Sequence, residues 1–175
     1  LTVSSQEAGG SIFTLSLRLL LREPSQALVP ARPEVPIEQE EYFFRGLVLL
    51  VEDNDVNAMV ARRILERMGV TVVAASNGEE ALRSAGQRDF DCILMDVQMP
   101  VMDGLEATRR LRQWERELGR APMPVVALTA NAMHEERQRC LAAGMNSHLA
   151  KPFRRQQLAR VLSPYLTPGR VPPGQ

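Results

Sequence analysis

The stretch LVLLVEDNDVN, residues 47–57, opens with five consecutive aliphatic residues and breaks abruptly into the acidic pair Glu52 and Asp53. An apolar run without alternation is the pattern of a strand covered on both faces, as in a parallel sheet. Working outward, four further short runs follow: TVVAAS (71–76), CILMD (92–96), PVVALTA (124–130) and SHLA (147–150). Between them the apolar residues change period. Val56, Met59, Val60, Ile64, Leu65 and Met68 recur at three- and four-residue steps and stop before Gly69, which predicts an amphipathic first helix. Further helices are expected over 78–85, 104–118, 134–143 and 154–166, with Gly69, Gly119 and Gly144 as C-terminal stops. Strand–helix alternation repeated five times predicts an α/β fold: a doubly wound parallel sheet with helices on both faces. Its ligand site should lie at the carboxyl ends of the strands.

Those strand ends carry residues that an apolar core does not select: Glu52 and Asp53 after the first, Asp96 after the third, Thr129 after the fourth and Lys151 after the fifth. If the first and third strands are neighbours, three carboxylates converge, and like charges that close are costly unless a cation neutralises them. Hard oxygen ligands with positions left for water favour Mg²⁺, which uses one or two carboxylates plus phosphate oxygens. Lys151 and the Thr129 hydroxyl would then hold the remaining phosphoryl oxygens. Lys151 is the only lysine in the chain beside twenty arginines, and a compact ammonium at that place suits a phosphate.

In order and spacing, the motifs LVLLVEDNDVN, CILMDVQMPVMDG, VVALTA and HLAKPF resemble the response-regulator receiver domain across residues 46–166. The resemblance implies a flavodoxin-like sheet of five parallel strands in the order 2-1-3-4-5. It implies Asp96 as phospho-acceptor, Mg²⁺ ligation by Asp53, Asp96 and the backbone carbonyl of Gln98, and Glu52 acting through the metal's water shell. Thr129 and Lys151 would coordinate the phosphoryl group, and Lys151–Pro152 would be a cis peptide that aims the lysine inward. The LMDVQMPVMDG form is similar to that of hybrid sensor histidine kinases. That similarity implies a kinase phosphohistidine as donor, a histidine-phosphotransfer domain as acceptor, and a docking face on the first helix at Val56, Asn57, Val60 and Ala61. Gln98 and Asn131 flank the site and would tune hydrolysis.

One position departs from the pattern. Where receiver domains usually carry Tyr or Phe as a rotating switch, this chain has His148. An imidazole there would make the inward state less apolar and pH-sensitive; the plainer alternative is a half-exposed residue on the last strand.

Upstream, AGGSIFTLSLRL resembles the last glycine-rich box and final strand of histidine-kinase ATP-binding domains, with Ala8 where the first glycine usually stands. LTVSSQ and SIFTLSLRLL would form a hairpin turning through Glu7-Ala8-Gly9-Gly10. The expected organisation is a kinase-domain remnant at 1–21, a Pro-rich and acidic linker at 22–45, the receiver at 46–166 and a tail at 167–175. Because the chain opens on Leu1, it is expected to be a piece of a longer hybrid kinase, without kinase activity of its own and catalysing only its own aspartyl phosphorylation and dephosphorylation. The nine-residue tail is too short for a DNA-binding output domain, so output would pass through another protein or the attached kinase.

Other classes are excluded on chemistry. Lys plus Arg and Asp plus Glu both number 21, so no basic field exists to draw nucleic acid or anionic membrane. Apolar runs fall well short of the roughly 20 residues that span a bilayer. Asp53, Asp55 and Asn57 imitate the start of a calcium loop, but Ala58 and Ile64 stand where glycine and glutamate are required. A phosphatase of the haloacid dehalogenase type needs a second Asp two residues past the nucleophile, and that position is Gln98. Cys92 and Cys140 form no CxxC pair, which fits a reducing, cytoplasmic setting, compatible with a parent anchored in the inner membrane. Asn54 or Asp55 would cap the first helix, Asp103 reads as a turn residue, and Met59, Met68, Met95, Met99 and Met102 read as packing.

Overall fold

The computed structural model describes residues 2–5, 11–14, 42–130 and 134–169, in two compact units, Leu1–Gln39 and Glu40–Gln175. In the first, β1 (Thr2–Ser5) and β2 (Ser11–Thr14) pair antiparallel, Thr2 opposite Thr14 and Ser5 opposite Ser11. The expected Glu7–Gly10 turn, Asn131 and most of the expected linker and tail lie outside the described residues.

The second unit runs β3 (Phe44–Arg45), β4 (Leu47–Val51), α1 (Asp55–Arg67), β5 (Thr71–Ala75), α2 (Gly78–Gln87), β6 (Cys92–Asp96), α3 (Gly104–Glu117), β7 (Val125–Thr129), α4 (His134–Ala143), β8 (Ser147–Ala150), α5 (Arg155–Leu162) and β9 (Thr167–Pro168). Five of these strands form a parallel sheet in the order β5-β4-β6-β7-β8, the 2-1-3-4-5 order of the flavodoxin-like fold.

Alternation along each strand divides the core between two faces. Leu49, Val51, Ile93, Met95 and Val125 pack with Ala81, Leu105, Leu111 and Cys140 of α2, α3 and α4. Val48, Leu50, Leu94 and Leu128 pack with Leu65, Met68, Leu158 and Leu162 on the α1 and α5 side. Each of the fully buried leucines contributes about 1.5–3 kcal/mol of apolar burial. Cys92 belongs to this core, and burial pushes its thiol up to about 12, so it behaves as a small apolar residue.

The helix stops stand where expected: Gly69, Gly119 and Gly144 have φ of 81, 62 and 98°. At Gly69 a side chain would also meet the Phe43 ring and the Phe44 carbonyl at 2.5–2.7 Å.

Three expectations change. The last helix ends at Leu162, and residues 163–166 turn back on it through the Leu162 carbonyl, which accepts from the Tyr165 and Leu166 amides. The chain then pairs Thr167–Pro168 with Phe44–Arg45, residues read from sequence as tail and linker. The cause is apolar: Phe44 and Leu166 are both 5% exposed in the α5-side core, and Tyr42 stacks on Phe44 with ring centroids 6.5 Å apart. Helix α1 is also turned differently from its periodicity. Ala61 and Leu65 face the core, whereas Val56, Met59 and Val60 are 63, 50 and 51% exposed on the far side. Met59 is therefore not packing, while Ala61, 4% exposed, lies at the floor of the groove that Asn57 and Val60 also line. Among the described residues no helix is long and apolar enough to cross a membrane.

Candidate active site

The parallel register sets Val51 opposite both Ala75 and Met95, so the residues that follow β4 and end β6 emerge side by side at the carboxyl edge. Glu52 is held there by its backbone amide on the Ala75 carbonyl at 3.0 Å and is only 5% exposed. Asp53 next to it is exposed. Asn54 is the helix cap, its side chain accepting from the Val56 and Asn57 amides at 3.1 Å each, and Asp55 occupies the first turn, where negative charge suits the helix dipole.

Asp96 ends β6, buried. One carboxylate oxygen from each of Glu52, Asp53 and Asp96 falls within 4.8 Å of the others. Lys151, just past β8, donates from Nζ to Asp96 Oδ2 at 2.7 Å and to Glu52 Oε2. Its backbone amide donates to the Thr129 carbonyl at 2.7 Å, and Lys151–Pro152 is cis. Burial opposes the lysine's charge, but the hydrogen bonds and charges of Asp96 and Glu52 outweigh it and raise its pKa above 10.5. The remaining oxygens have backbone or amide partners: the Gln98 amide donates to Asp96 Oδ1 at 3.2 Å, and Asn57 Nδ2 donates to Glu52 Oε1 at 2.9 Å. Thr129 ends β7, 1% exposed. One ammonium among three carboxylates leaves negative charge over, and the all-oxygen donor set with an exposed Asp53 fits a small hard divalent cation.

Two cavities flank the acidic cluster. One, of about 500 Å³, is lined by Asp53, Gln98, Asp103, Glu136 and Arg139; the other, about 370 Å³, runs between α1 and the loop after β8 along Asn57, Val60, Lys151, Pro152 and Phe153. Of the residues expected from sequence, Glu52, Asp53, Asp96 and Lys151 are brought together, and Thr129 and Gln98 sit on the same edge. His148 is half-buried on β8, opposite Ala127.

One contributor to this edge escaped the sequence reading. Gly104 starts α3 so close to β6 that a Cβ would stand 2.0 Å from the Asp96 carbonyl oxygen. The Asp-Gly pair signalled only a turn; in fact Asp103 caps α3, accepting from the Glu106 amide at 2.8 Å. Val101, in the loop between Asp96 and Gly104, has a φ of 69°, an uncommon conformation for a β-branched residue. No periodic signal announces it.

The response regulator receiver domain family matches residues 48–163. The chain is 41% identical over 145 residues to the sensor histidine kinase GacS of Pseudomonas protegens, covering 83% of this chain and 16% of GacS, so it spans under a fifth of that relative's length. Among solved structures, the receiver domain of sensor histidine kinase PA1611 from Pseudomonas aeruginosa, determined with magnesium in its active site cleft, is 43% identical. It has a TM-score of 0.61, with 69% of this chain and 96% of that one covered. A chain from the co-crystal of the Saccharomyces cerevisiae histidine phosphotransfer protein Ypd1 with the receiver domain of Ssk1 is 31% identical. It has a TM-score of 0.67, with coverage of 70% and 90%. A match over that span, on a sheet of this order with its acidic cluster at the carboxyl edge, makes the chain a member of the response regulator receiver domain family.

Proposed function

We propose that the second unit is the phospho-accepting receiver of a hybrid sensor histidine kinase, taking a phosphoryl group from phosphohistidine onto Asp96 and passing it to a histidine-phosphotransfer protein. The observation that carries this reading is the Lys151 ammonium held on both Asp96 and Glu52, beside an exposed Asp53.

In the forward step an Asp96 carboxylate oxygen attacks phosphorus in line, the P–N bond breaks, its electron pair returns to the imidazole, and an acyl phosphate remains. Lys151 turns from the carboxylates to a phosphoryl oxygen, and the Thr129 hydroxyl donates to another. Asp53, Asp96 and the Gln98 carbonyl would hold Mg²⁺, with Glu52 acting through its water; the ion supplies charge neutralisation on the phosphoryl oxygens. Onward transfer is the same reaction reversed, with a second imidazole as acceptor.

The exposed Val56, Met59 and Val60 on α1, beside the groove along Asn57 and Phe153, suit a partner that must bring a histidine to Asp96. The Ypd1–Ssk1 co-crystal is a precedent for such a pairing. We read the β1–β2 pair as the last hairpin of a kinase ATP-binding domain, the intervening residues as a linker, the setting as cytoplasmic, and His148 as the switch position.

Intact-mass measurement after incubation with a small phosphodonor tests the central step. Wild type should gain one phosphate only with Mg²⁺, and Asp96→Asn should gain none. An unmodified wild type defeats the reading.

A further inference from the structure

We propose that Asn57 is a positioning residue that orients Glu52 toward the metal and phosphoryl site, and that it does so from the face on which a partner docks. The inference rests on the function proposed above and assigns a further residue to that site.

Glu52 is 5% exposed, and its two carboxylate oxygens have separate partners: Oε2 takes the Lys151 ammonium, and Oε1 takes the Asn57 side-chain amide at 2.9 Å. For Lys151 to reach a phosphoryl oxygen it must let go of Glu52. A buried carboxylate that loses one partner is costly to leave in place, and without a second donor it would rotate. Asn57 is that second donor. Its own backbone is fixed, because its amide donates to the Asn54 cap at 3.1 Å in the first turn of α1. The residue type matters: an aspartate here would add a fourth carboxylate to the cluster, and an aliphatic residue would leave Oε1 without a donor.

Asn57 is also exposed, lies between Val56 and Val60 in sequence, and lines the groove shared with Lys151 and Phe153. A protein seated on Val56 and Val60 therefore touches the residue that holds Glu52. Contact on α1 is transmitted to the acidic cluster through a single hydrogen bond.

The test is a double-mutant cycle read as Mg²⁺ affinity, by calorimetric titration with no phosphodonor present. Asn57→Ala should weaken Mg²⁺ binding about tenfold in the wild-type background, the scale of residues that orient metal-site groups. In a Glu52→Ala background it should have no further effect. Equal weakening in both backgrounds would mean that Asn57 acts through the helix and not through Glu52, and would overturn the proposal. Unchanged affinity in the wild-type background overturns it too. A second readout needs no metal: the Asn57 side-chain amide resonances should shift between wild type and Glu52→Ala, and coincident resonances count against the contact. A wild type that is phosphorylated on Asp96 but gives an additive cycle refutes this inference alone; one that is not phosphorylated refutes the function beneath it.

Discussion

Two clusters of buried charge stand at opposite ends of the same parallel sheet, and they are built differently. At the amino end, Glu115 is 2% exposed and accepts from Arg112 Nη1 and the Met123 amide, both at 2.7 Å. Arg112 spends its other nitrogens on the Gly144 carbonyl at 3.0 Å and Asn146 Oδ1 at 3.1 Å, and Asn146 in turn accepts from the Val125 amide at 2.9 Å. One cation meets one anion, and the planar guanidinium fork ties α3 to the entries of β7 and β8. At the carboxyl end, one ammonium on a flexible stem meets two buried carboxylates, and a third, exposed, stands beside them. The balanced cluster is a fixture of the fold. The unbalanced one has charge to spare for a cation.

That contrast can be broken experimentally. Arg112→Ala should be the most damaging change: it strands a buried carboxylate and should cost about 3 kcal/mol in denaturant unfolding, with no recovery on adding Mg²⁺. A loss below about 1 kcal/mol would show that the amino-end cluster is not the fixture described.

Gly104→Ala tests the other end. A methyl 2.0 Å from the Asp96 carbonyl oxygen must displace β6, at about 2 kcal/mol, and should slow phosphorylation by a small donor as well. Unchanged kinetics would mean that the close approach does not position Asp96.

Lys151→Met should cost about 1 kcal/mol, because Glu52 and Asp96 lose the charge between them, and here Mg²⁺ should restore stability. The comparison is sharpened if Mg²⁺ raises the Tm of this variant more than that of wild type. pH offers a second view. The folded pKa of Lys151 lies above its ordinary 10.5, so its contribution is fully present below that value and is lost as pH rises through the folded pKa. Wild type should therefore lose stability in that alkaline window, and Lys151→Met should lack this component.

The smallest expected effect is a gain. Val101 is 77% exposed with a φ of 69°, so Val101→Asn should relieve backbone strain at little packing cost and stabilise by roughly 0.5 kcal/mol in the same unfolding assay. A loss would show that the exposed valine contributes more than its strain costs.

Much of the site was legible because its residues violate the pattern around them. Glu52, Asp53, Asp96 and Lys151 interrupt apolar runs at strand ends, and the β/α alternation alone puts those ends on one edge. Partners within the cluster were not legible. Nothing in residues 47–57 says that Asn57 faces Glu52, that Asn54 rather than Asp55 is the cap, or that Ala61 turns inward while Val56, Met59 and Val60 stay outside. Apolar periodicity counts residues and not burial. Glu115 likewise reads as one more charge on a polar helix face until Arg112 and Met123 are seen to enclose it.

By itself the sequence determined the five strands of the parallel sheet, the glycine helix stops, the polar residues at the strand ends and the receiver family, because these follow from local periodicity, glycine geometry and spaced motifs. Only the tertiary structure decided the rest: which carboxylate oxygen meets which donor, how closely Gly104 approaches Asp96, and that Phe44–Arg45 and Thr167–Pro168 close on each other. Contacts between residues dozens of positions apart depend on packing angles and register. No local pattern in the chain encodes those.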